Sequence, residues 1–279
     1  MIQWNKETLE DVNSVAQILT LAETEWNTRK QLYERIRRKA LNSELVSADD
    51  NNIKVAFENY INSMVTGYFA GKAPVYDVEK ISDPTKLNII KKLLNKVFNT
   101  DAKQDEELKI LIDYISKYND DATEFFDLAF DYFGLRACYE VLYENEENEI
   151  VYTKQSALNT IGIFDYSTPV NQIGQLRKWT EKDKNNADIT IVELTTINGK
   201  KYYAPTPGDI KKLKEQEDKR EPGKWSMLPC IAIENEMGLS SFELVVSLIC
   251  AYERVIQNSR NTFQYNDDAK LKITGYSPQ

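Results

Sequence analysis

The segment Ser240-Ser241-Phe242-Glu243 organises this 279-residue chain, because it carries the start signal of a long helix. A serine followed three residues later by glutamate is a capping box, in which each side chain binds a free backbone N–H of the first helical turn. Nine uncharged residues then separate Glu243 from Glu253. The sequence therefore predicts a helix that begins at Ser240 and runs to about Asn261.

The predicted helix has apolar side chains on two sides. The first stripe repeats every three or four residues and comprises Phe242, Val245, Ile249, Tyr252 and Ile256. The second stripe lies beside it and comprises Leu244, Leu248, Ala251 and Val255. A helix of this kind crosses a core or lies between subunits, and its apolar stretch is far shorter than the ~20 residues of a membrane span. We expect Phe242, Val245, Ile249 and Tyr252 to be core or subunit contacts.

The composition argues against most enzymatic mechanisms. The chain has no histidine, the commonest general base and the commonest zinc ligand. It has only 10 glycines, and it contains neither a Walker phosphate loop nor the dinucleotide-binding glycine fingerprint. The net charge of −9 disfavours a surface that grips phosphates over the whole molecule. We therefore predict a protein that is not an enzyme and that binds neither a cofactor nor a catalytic metal.

Cysteine usage and the first residues bear on location. The three cysteines, Cys138, Cys230 and Cys250, are an odd number in apolar surroundings, which favours reduced thiols over a disulfide framework. The first residues lack the basic and apolar regions of a signal peptide. We expect the chain to stay inside a cell, or inside a particle assembled there.

Amphipathic helices are predicted for the first half of the chain. Their expected ranges are Asn5 to Leu41 (one helix, or two joined near Asn27), Asn52 to Phe69, Asp83 to Phe98, Asp105 to Tyr118, and Asp121 to Phe133. Gly71 and Gly134 are placed to end the second and the last of these. The buried side of the second helix is expected to hold Ile53, Phe57, Tyr60, Ile61, Met64, Val65 and Tyr68. The basic run between Arg29 and Lys39 favours a solvated face, with an anion or partner site as the alternative.

Strands are predicted after Leu135. Their expected ranges are Cys138 to Tyr143, Ile150 to Lys154, Ile161 to Tyr166, Gln172 to Trp179, Ile189 to Ile197, Lys201 to Ala204, and a return strand at Leu271 to Ile273. Asn198-Gly199 indicates a hairpin turn. The charged stretch from Thr206 to Lys224 indicates a loop with possible helical character from Asp209 to Lys219. The acidic tip Glu144 to Glu149 is typical of solvated carboxylates, with a cation site as the alternative.

The order of these elements predicts a mainly helical α+β fold. Its parts are an N-terminal helical region, central antiparallel strands, and a long helix near the C-terminus. We expect three regions: a helical, wing-like region over residues 1–134, a β-rich region with a charged loop over residues 135–228, and a stem-like region over residues 229–279.

Three blocks of sequence carry a family resemblance. The first block is Asn51 to Asp77, with Tyr60, Ile61, Tyr68, Gly71-Lys72, Pro74-Val75 and Tyr76. The second runs from Asn119-Asp120 through Gly134, Ala137, Tyr139, Glu140 and Leu142-Tyr143 to Asp165-Tyr166. The most specific block runs from Leu228-Pro229 through Glu234-Asn235, Ser241-Phe242-Glu243, Ala251-Tyr252, Asn258-Ser259 and Asn266-Asp267-Asp268 to Ile273-Thr274-Gly275. Together these blocks resemble the portal proteins of tailed bacteriophages, of the siphophage type.

The resemblance covers about Glu25 to Tyr276, with two departures. Family members often carry a histidine and a glycine shortly before the proline that matches Pro229, where this chain has Lys224-Trp225-Ser226-Met227-Leu228. Portals of this type also continue into a second long helix, a channel loop and a crown. This chain resembles the N-terminal and middle part of such a portal protein.

The resemblance implies a structural subunit of a ring at one capsid vertex, through which DNA enters during packaging and leaves during ejection. It implies that the partners are other copies of the chain, with twelve subunits expected, the terminase large subunit, a capsid or scaffold protein, and a head-completion protein. Double-stranded DNA would pass through without sequence-specific binding. The implied location is the portal vertex of the virion, assembled in the bacterial host cytoplasm. Candidate DNA-channel residues are Arg254, Arg260, Lys270 and Lys272, for which solvated surface is the simpler interpretation.

Two other functions are compatible with the sequence. The first is a helical adaptor that docks a protein partner through the long N-terminal helix. The second is a metal-dependent nuclease or hydrolase that uses a carboxylate pair, namely Asp120-Asp121, Glu146-Glu147 or Asp267-Asp268. Each pair is also predicted to lie where solvated acidic residues are common: Asp120-Asp121 at a helix cap, Glu146-Glu147 at a hairpin tip and Asp267-Asp268 in a loop.

Overall fold

The computed structural model describes residues 1–41, 56–76, 104–147, 149–182, 186–206, 209–216, 221–223, 225–235 and 238–267. The helices in these ranges are α1 (Val12–Leu41), α2 (Phe57–Ala70), α3 (Gln104–Tyr118), α4 (Asp121–Leu135) and α5 (Val246–Asp267). The strands are β1 (Ile2–Gln3), β2 (Ala137–Glu144), β3 (Ile150–Gln155), β4 (Thr160–Phe164), β5 (Gln172–Lys182), β6 (Asp188–Thr196), β7 (Gly199–Thr206), β8 (Asp209–Glu215), β9 (Glu221–Pro222) and β10 (Cys230–Glu234). The α+β prediction is confirmed. The predicted helix from Asp83 to Phe98 and the return strand at Leu271 to Ile273 lie outside the described residues.

The strands form two sheets. The larger sheet has the order β1-β4-β5-β6-β7-β8, with β9 paired to β7, and only its β1–β4 pairing is parallel. The smaller sheet has the order β10-β2-β3 and is antiparallel. The predicted hairpin of β2 and β3 is thus confirmed.

The Asn198-Gly199 turn joins β6 and β7, as predicted. Thr196 pairs with Gly199, so the two loop residues are Ile197 and Asn198. Gly199 has a φ of 122°, and a Cβ at this position would lie 2.1 Å from the carbonyl oxygen of Glu221. Glycine is required here both by its backbone conformation and by the close approach of β9.

The predicted helical character from Asp209 to Lys219 is wrong for the residues that the structure describes. Asp209–Glu215 forms β8, which pairs antiparallel with β7. Lysine and glutamate favour helices in isolation, but here the backbone pairs with the edge of β7 and the Leu213 side chain is buried beneath α1. Tertiary pairing therefore overrides local propensity.

Helix α1 is a single helix without a break at Asn27, and it starts at Val12 instead of Asn5. Its first half packs on the larger sheet in a cluster that we call the sheet core. The sheet core includes Val15, Ile18, Leu19, Trp26, Ile161, Ile163, Leu176, Leu194 and Tyr203. The second half of α1 supplies Leu32 and Ile36 to a second cluster, the helix core. The helix core also includes Leu135, Ala137, Tyr139, Ala157 and Phe242.

Arg29 lies at the point where α1 passes from one core to the other. Its side chain is buried, so the solvated interpretation of the basic run is wrong for this residue. Its Nη1 donates to the Tyr139 hydroxyl at 2.7 Å and to the carbonyl oxygens of Ala157 and Thr160 at 3.2 and 3.1 Å. Its Nη2 lies 3.7 Å from Glu234 Oε1, which also accepts the Tyr139 hydroxyl at 2.7 Å. This network joins α1 to β2, β4 and β10.

Helix α2 buries its polar side, contrary to the prediction, although Ile61 packs against the helix core as predicted and Ile53 lies outside the described residues. The buried residues are Glu58, Asn62, Thr66 and Ala70, whereas Tyr60, Met64 and Tyr68 are exposed. The buried polar groups have partners: Glu58 binds Arg35 at 3.1 Å, and Asn62 Nδ2 donates to the Phe130 carbonyl at 3.1 Å. Because these partners exist, polar burial is tolerated and the apolar side faces outward.

Neither predicted glycine terminator acts through a left-handed conformation. Gly71 follows α2 with a right-handed φ of −72°. Gly134 lies inside α4, which ends at Leu135, and Arg136 adopts the left-handed conformation with a φ of 70°. A Cβ on Gly134 would lie 2.8 Å from Asn62 Nδ2, so this glycine allows α2 and α4 to pack closely. Among the helices described, none combines the length and apolarity needed to span a membrane.

Replacing Arg29 with methionine is expected to lower the free energy of unfolding by about 3 kcal/mol or more. The substitution removes one of two cations beside Glu234, leaving the N-terminal ammonium 2.9 Å from Oε2, and it removes the donor to two buried carbonyls and the Tyr139 hydroxyl. The measurement is urea unfolding, with Lys30→Met as the matched control because Lys30 is the exposed neighbour on the same helix. The control should change stability by less than about 0.5 kcal/mol. Equal unfolding midpoints for the two variants would contradict a structural role for Arg29.

Candidate subunit-contact and channel surfaces

The start of the C-terminal helix uses half of the predicted capping box. The Glu243 carboxylate accepts the backbone N–H of Ser240 and also binds Arg136, whose Nε lies 2.9 Å away. Burial opposes ionisation of Glu243, but the hydrogen bonds from Arg136 and Ser240 hold its pKa below the usual value. The Ser240 hydroxyl is buried and has no hydrogen-bond partner among the described residues. The predicted role of that hydroxyl as a cap is therefore wrong.

The neighbouring residues anchor this segment to the body. Phe242 is fully buried in the helix core, and a 3-10 turn over Glu243–Val245 leads into α5. The Ser241 hydroxyl donates to Asn62 Oδ1 at 2.9 Å, and the Ser241 N–H donates to the Phe133 carbonyl at 2.8 Å. The first turn is thus fixed to both α2 and α4.

Replacing Ser241 with alanine is expected to cost about 1 to 3 kcal/mol of stability, because it leaves Asn62 Oδ1 buried without its donor. Replacing Ser240 with alanine should have almost no effect, since its hydroxyl makes no hydrogen bond that would be removed. The two variants delete the same atom from adjacent positions and serve as each other's control in urea unfolding. A larger destabilisation by Ser240→Ala than by Ser241→Ala would contradict this assignment.

The two predicted stripes of α5 have different surroundings. Ile249 is buried, and Val245 and Val246 pack against the helix core. The second stripe faces outward: the exposed fractions of Leu244, Leu248 and Val255 are 79%, 68% and 62%. Beyond Cys250 most described side chains of α5 are exposed, including Phe263 and Tyr265. The helix is therefore held at its start and extends away from the body.

The four residues predicted as core or subunit contacts differ in how deeply they are buried. Phe242 and Ile249 are buried and act in internal packing, and Val245 is half-buried. Tyr252 is about half exposed, and its ring meets that of Phe57 edge-on at a centroid distance of 5.4 Å. Tyr252 is thus the member of this set that remains accessible to another subunit.

The predicted DNA-channel residues are only partly described. Arg254 is exposed and Arg260 is half-exposed on α5, whereas Lys270 and Lys272 lie outside the described residues. Arg254 and Arg260 are six positions apart on the helix, which places them ~120° apart around its axis at ~100° per residue. The two arginines therefore point to different sides of α5.

Of the carboxylate pairs in the nuclease hypothesis, Asp120-Asp121 contains a carboxylate with structural partners, whereas Asp268 of the pair Asp267-Asp268 lies outside the described residues. Asp121 accepts hydrogen bonds from the hydroxyls of Tyr76, Ser116 and Tyr152 at 2.6, 3.1 and 2.9 Å. Burial, together with the bond to Asp121, raises the pKa of Tyr76 to about 12. At the hairpin tip, Asn145 Oδ1 accepts the backbone N–H groups of Glu147 and Glu149. Within the described ranges, no three acidic or thiol side chains converge as a metal site would require.

The three cysteines are free thiols. Cys138 and Cys230 are buried, and burial raises the pKa of each thiol to about 12. Cys250 is half-buried on α5, with Arg35 Nη2 4.0 Å from its sulfur. These surroundings keep the two buried thiols protonated and unreactive.

The sequence reasoning missed the outward apolar side of α2. The periodicity of α2 correctly indicated a helix with an apolar and a polar side, but the apolar side was assigned to the interior because of its hydrophobicity alone. A signal was present, because Glu58, Asn62 and Thr66 recur every four residues and so form a polar stripe of their own. Their partners, Arg35, Phe130 and Ser241, are distant in sequence and could not be identified from it.

Comparison with known proteins identifies a family. The family profile described as "Phage portal protein, SPP1 Gp6-like" matches residues 23–279. No curated protein matches the chain. The matched range includes the whole stretch, about Glu25 to Tyr276, on which the resemblance in the sequence rests.

Proposed function

Because the chain belongs to the SPP1 Gp6-like phage portal protein family, we propose that the outward stripe of α5 forms one side of the contact between neighbouring subunits of a portal ring. Proteins of this family are structural and not enzymatic, and their ring is the passage for DNA at a vertex of the capsid. The chain is a subunit of such a ring. Its interactions are with other copies of itself and with the capsid and packaging motor.

The exposed state of the α5 stripe is the observation that carries the proposal. Leu244, Leu248 and Val255 are all more than half exposed, and burying a large aliphatic side chain contributes ~1.5–3 kcal/mol. A contiguous apolar stripe of this kind is typical of a surface that is buried on assembly. A closed ring places a heterologous contact on each side of every subunit, and a helix that extends from the body is well placed to make one of them.

The finer assignments are also proposals. We place twelve subunits in the ring and name the terminase large subunit, a capsid or scaffold protein and a head-completion protein as its partners. Assembly takes place in the bacterial host cytoplasm. Residues 1–134 would act as the wing-like part, 135–228 as the β-rich part, and 229–279 as the stem-like part of each subunit.

The charge of the chain suits a passage for DNA. A net charge of −9 keeps the number of phosphate contacts low, and each such contact would add affinity that slows sliding. Arg254 and Arg260 are the described basic residues that we propose to meet the DNA backbone. They would do so without reading the sequence, because phosphate contacts carry no base information.

The adaptor alternative loses its docking surface. It required an apolar face on the N-terminal helix, but α1 uses Val15, Ile18, Leu19, Leu32 and Ile36 inside the two cores of the chain. The nuclease alternative likewise lacks support among the described residues, since Asp121 is occupied by three hydroxyls and no three acidic side chains converge there.

Replacing Leu248 with glutamate is expected to prevent ring formation without unfolding the subunit, because Leu248 is exposed in the single chain but buried in the proposed contact. The measurement is light scattering coupled to size exclusion, with negative-stain images of the wild type showing rings with a central hole. Ser247→Glu is the matched control, since Ser247 is exposed and lies one position away, ~100° around the helix. A wild-type chain that remains monomeric at every concentration tested would count against the ring.

Replacing Arg254 with glutamate is expected to weaken binding of the ring to duplex DNA equally for two unrelated sequences. The slope of log affinity against log salt concentration should fall by about one for each phosphate that the arginine neutralises. The measurement is a titration over a range of salt concentrations, with Lys30→Glu as a control of equal charge change on α1. An unchanged slope, or an effect confined to one sequence, would remove Arg254 from the channel.

A further inference from the structure

The outward side of α2 is a second apolar surface, separate from the α5 stripe. It is formed by Tyr60, Met64 and Tyr68, and we call it the α2 face; Ile61 at its border packs inward against the helix core. Tyr68 is 97% exposed. The only charged residue among the 14 of α2 is Glu58, which is buried on the opposite side. The α2 face therefore carries no charge at all.

This composition is that of the centre of a protein–protein contact. Charged residues are depleted from such centres, whereas tyrosine, phenylalanine and methionine are enriched. The orientation of α2 is also fixed, because Asn62 is held by hydrogen bonds to both α4 and Ser241. The helix cannot turn its apolar side inward without breaking these buried hydrogen bonds.

The sheet edges of the chain are poor sites for adding another subunit's strand. On β3, Asn119 binds the backbone of Ile150 and Tyr152, and Glu124 accepts the N–H of Lys154. On β10, Gln172 accepts the outward N–H of Ala232 at 2.8 Å. The outer strand β8 contains three lysines in seven residues, which disfavours pairing with a further strand. At these three described edges strand addition is disfavoured, which favours a contact made by helices.

The α2 face meets α5 at one corner. Phe57 lies on the same side of α2 as Met64 and Tyr68, at spacings of seven and eleven residues, and its ring contacts Tyr252 of α5. The α2 face and this side of α5 therefore form a continuous apolar surface with the Phe57–Tyr252 pair at its corner. The outward stripe adjoins this corner, because Leu248 lies one helical turn before Tyr252, and it continues along the exposed side of α5 to Val255.

We propose that the α2 face receives the outward α5 stripe of the neighbouring subunit. This inference rests on the proposed ring, in which one side of each subunit must fit a different side of the next. The stripe and the α2 face are both uncharged, so their contact leaves no charge buried without a partner. The occupant of the α2 face is thus a second copy of this chain, bound head to tail.

The test is cross-linking between cysteines introduced on the two surfaces, at Met64→Cys and Leu248→Cys, with a bis-maleimide reagent in a Cys250→Ser background. A protein that carries both substitutions should give a ladder of covalent species longer than dimers. An equal mixture of the two single variants should give covalent dimers only, and each single variant alone should give none. This pattern arises only from a head-to-tail contact between the two surfaces.

The outcomes separate this inference from the ring itself. Cross-linking of Leu248→Cys alone, with rings still visible, would show α5 against α5 and overturn the inference while leaving the ring intact. Rings whose double variant gives no cross-link between subunits would also overturn it, even if a link forms within one chain. Absence of assembly in the wild type would remove the ring, and the inference with it.

A second pair of variants tests the α2 face without cross-linking. Tyr68→Glu should raise the concentration needed for assembly more than tenfold, because it places a charge inside the proposed contact. Ser63→Glu places the same charge on another exposed side of α2 and should leave assembly unchanged. Both side chains are exposed in the subunit, so urea unfolding should be the same for both variants. Equal assembly of the two variants would exclude the α2 face from the contact.

Discussion

The buried guanidinium of Arg29 is the constraint on which the arrangement of this chain depends. It lies where α1 leaves the sheet core and enters the helix core, and it binds Glu234, Tyr139 and two backbone carbonyls. A buried cation is tolerated only when its hydrogen bonds are satisfied, so α1, β2, β4 and β10 must be in register around it. The two sheets and the helical cluster therefore form one unit, in which neither core is complete without α1.

Local patterns in the sequence were sufficient to predict most of the elements. Alternation identified β2 to β7, the Asn198-Gly199 pair identified the hairpin, and helical periodicity identified α1, α2, α3 and α4. The errors arose where a distant partner decides the outcome. Asp209–Glu215 becomes a strand because β7 offers an edge, and Arg29 is buried because Glu234 and Tyr139 surround it. Such partners are not visible in a window of neighbouring residues.

The candidate surfaces were predictable to a different degree. The two stripes of α5 were predictable from the sequence. In the structure the stripe with Ile249 faces inward and the stripe with Leu248 faces outward. The α2 face was not predictable from the sequence, because an apolar side of a helix normally packs in the interior, whereas this one is exposed. What reverses α2 is a set of polar partners at Arg35, Phe130 and Ser241, spread over more than two hundred positions of the chain.

The attachment of α5 has a mechanical consequence. The helix is clamped at its base by Phe242, Ser241 and Glu243, while its far end, near Phe263 and Tyr265, has few neighbours among the described residues. It is therefore a cantilever, in which a small tilt at the root becomes a large sweep at the tip. The rod itself is rigid because of its backbone hydrogen bonds, so its direction is set at the root and, in the proposed ring, by the neighbouring copies that lie beside it.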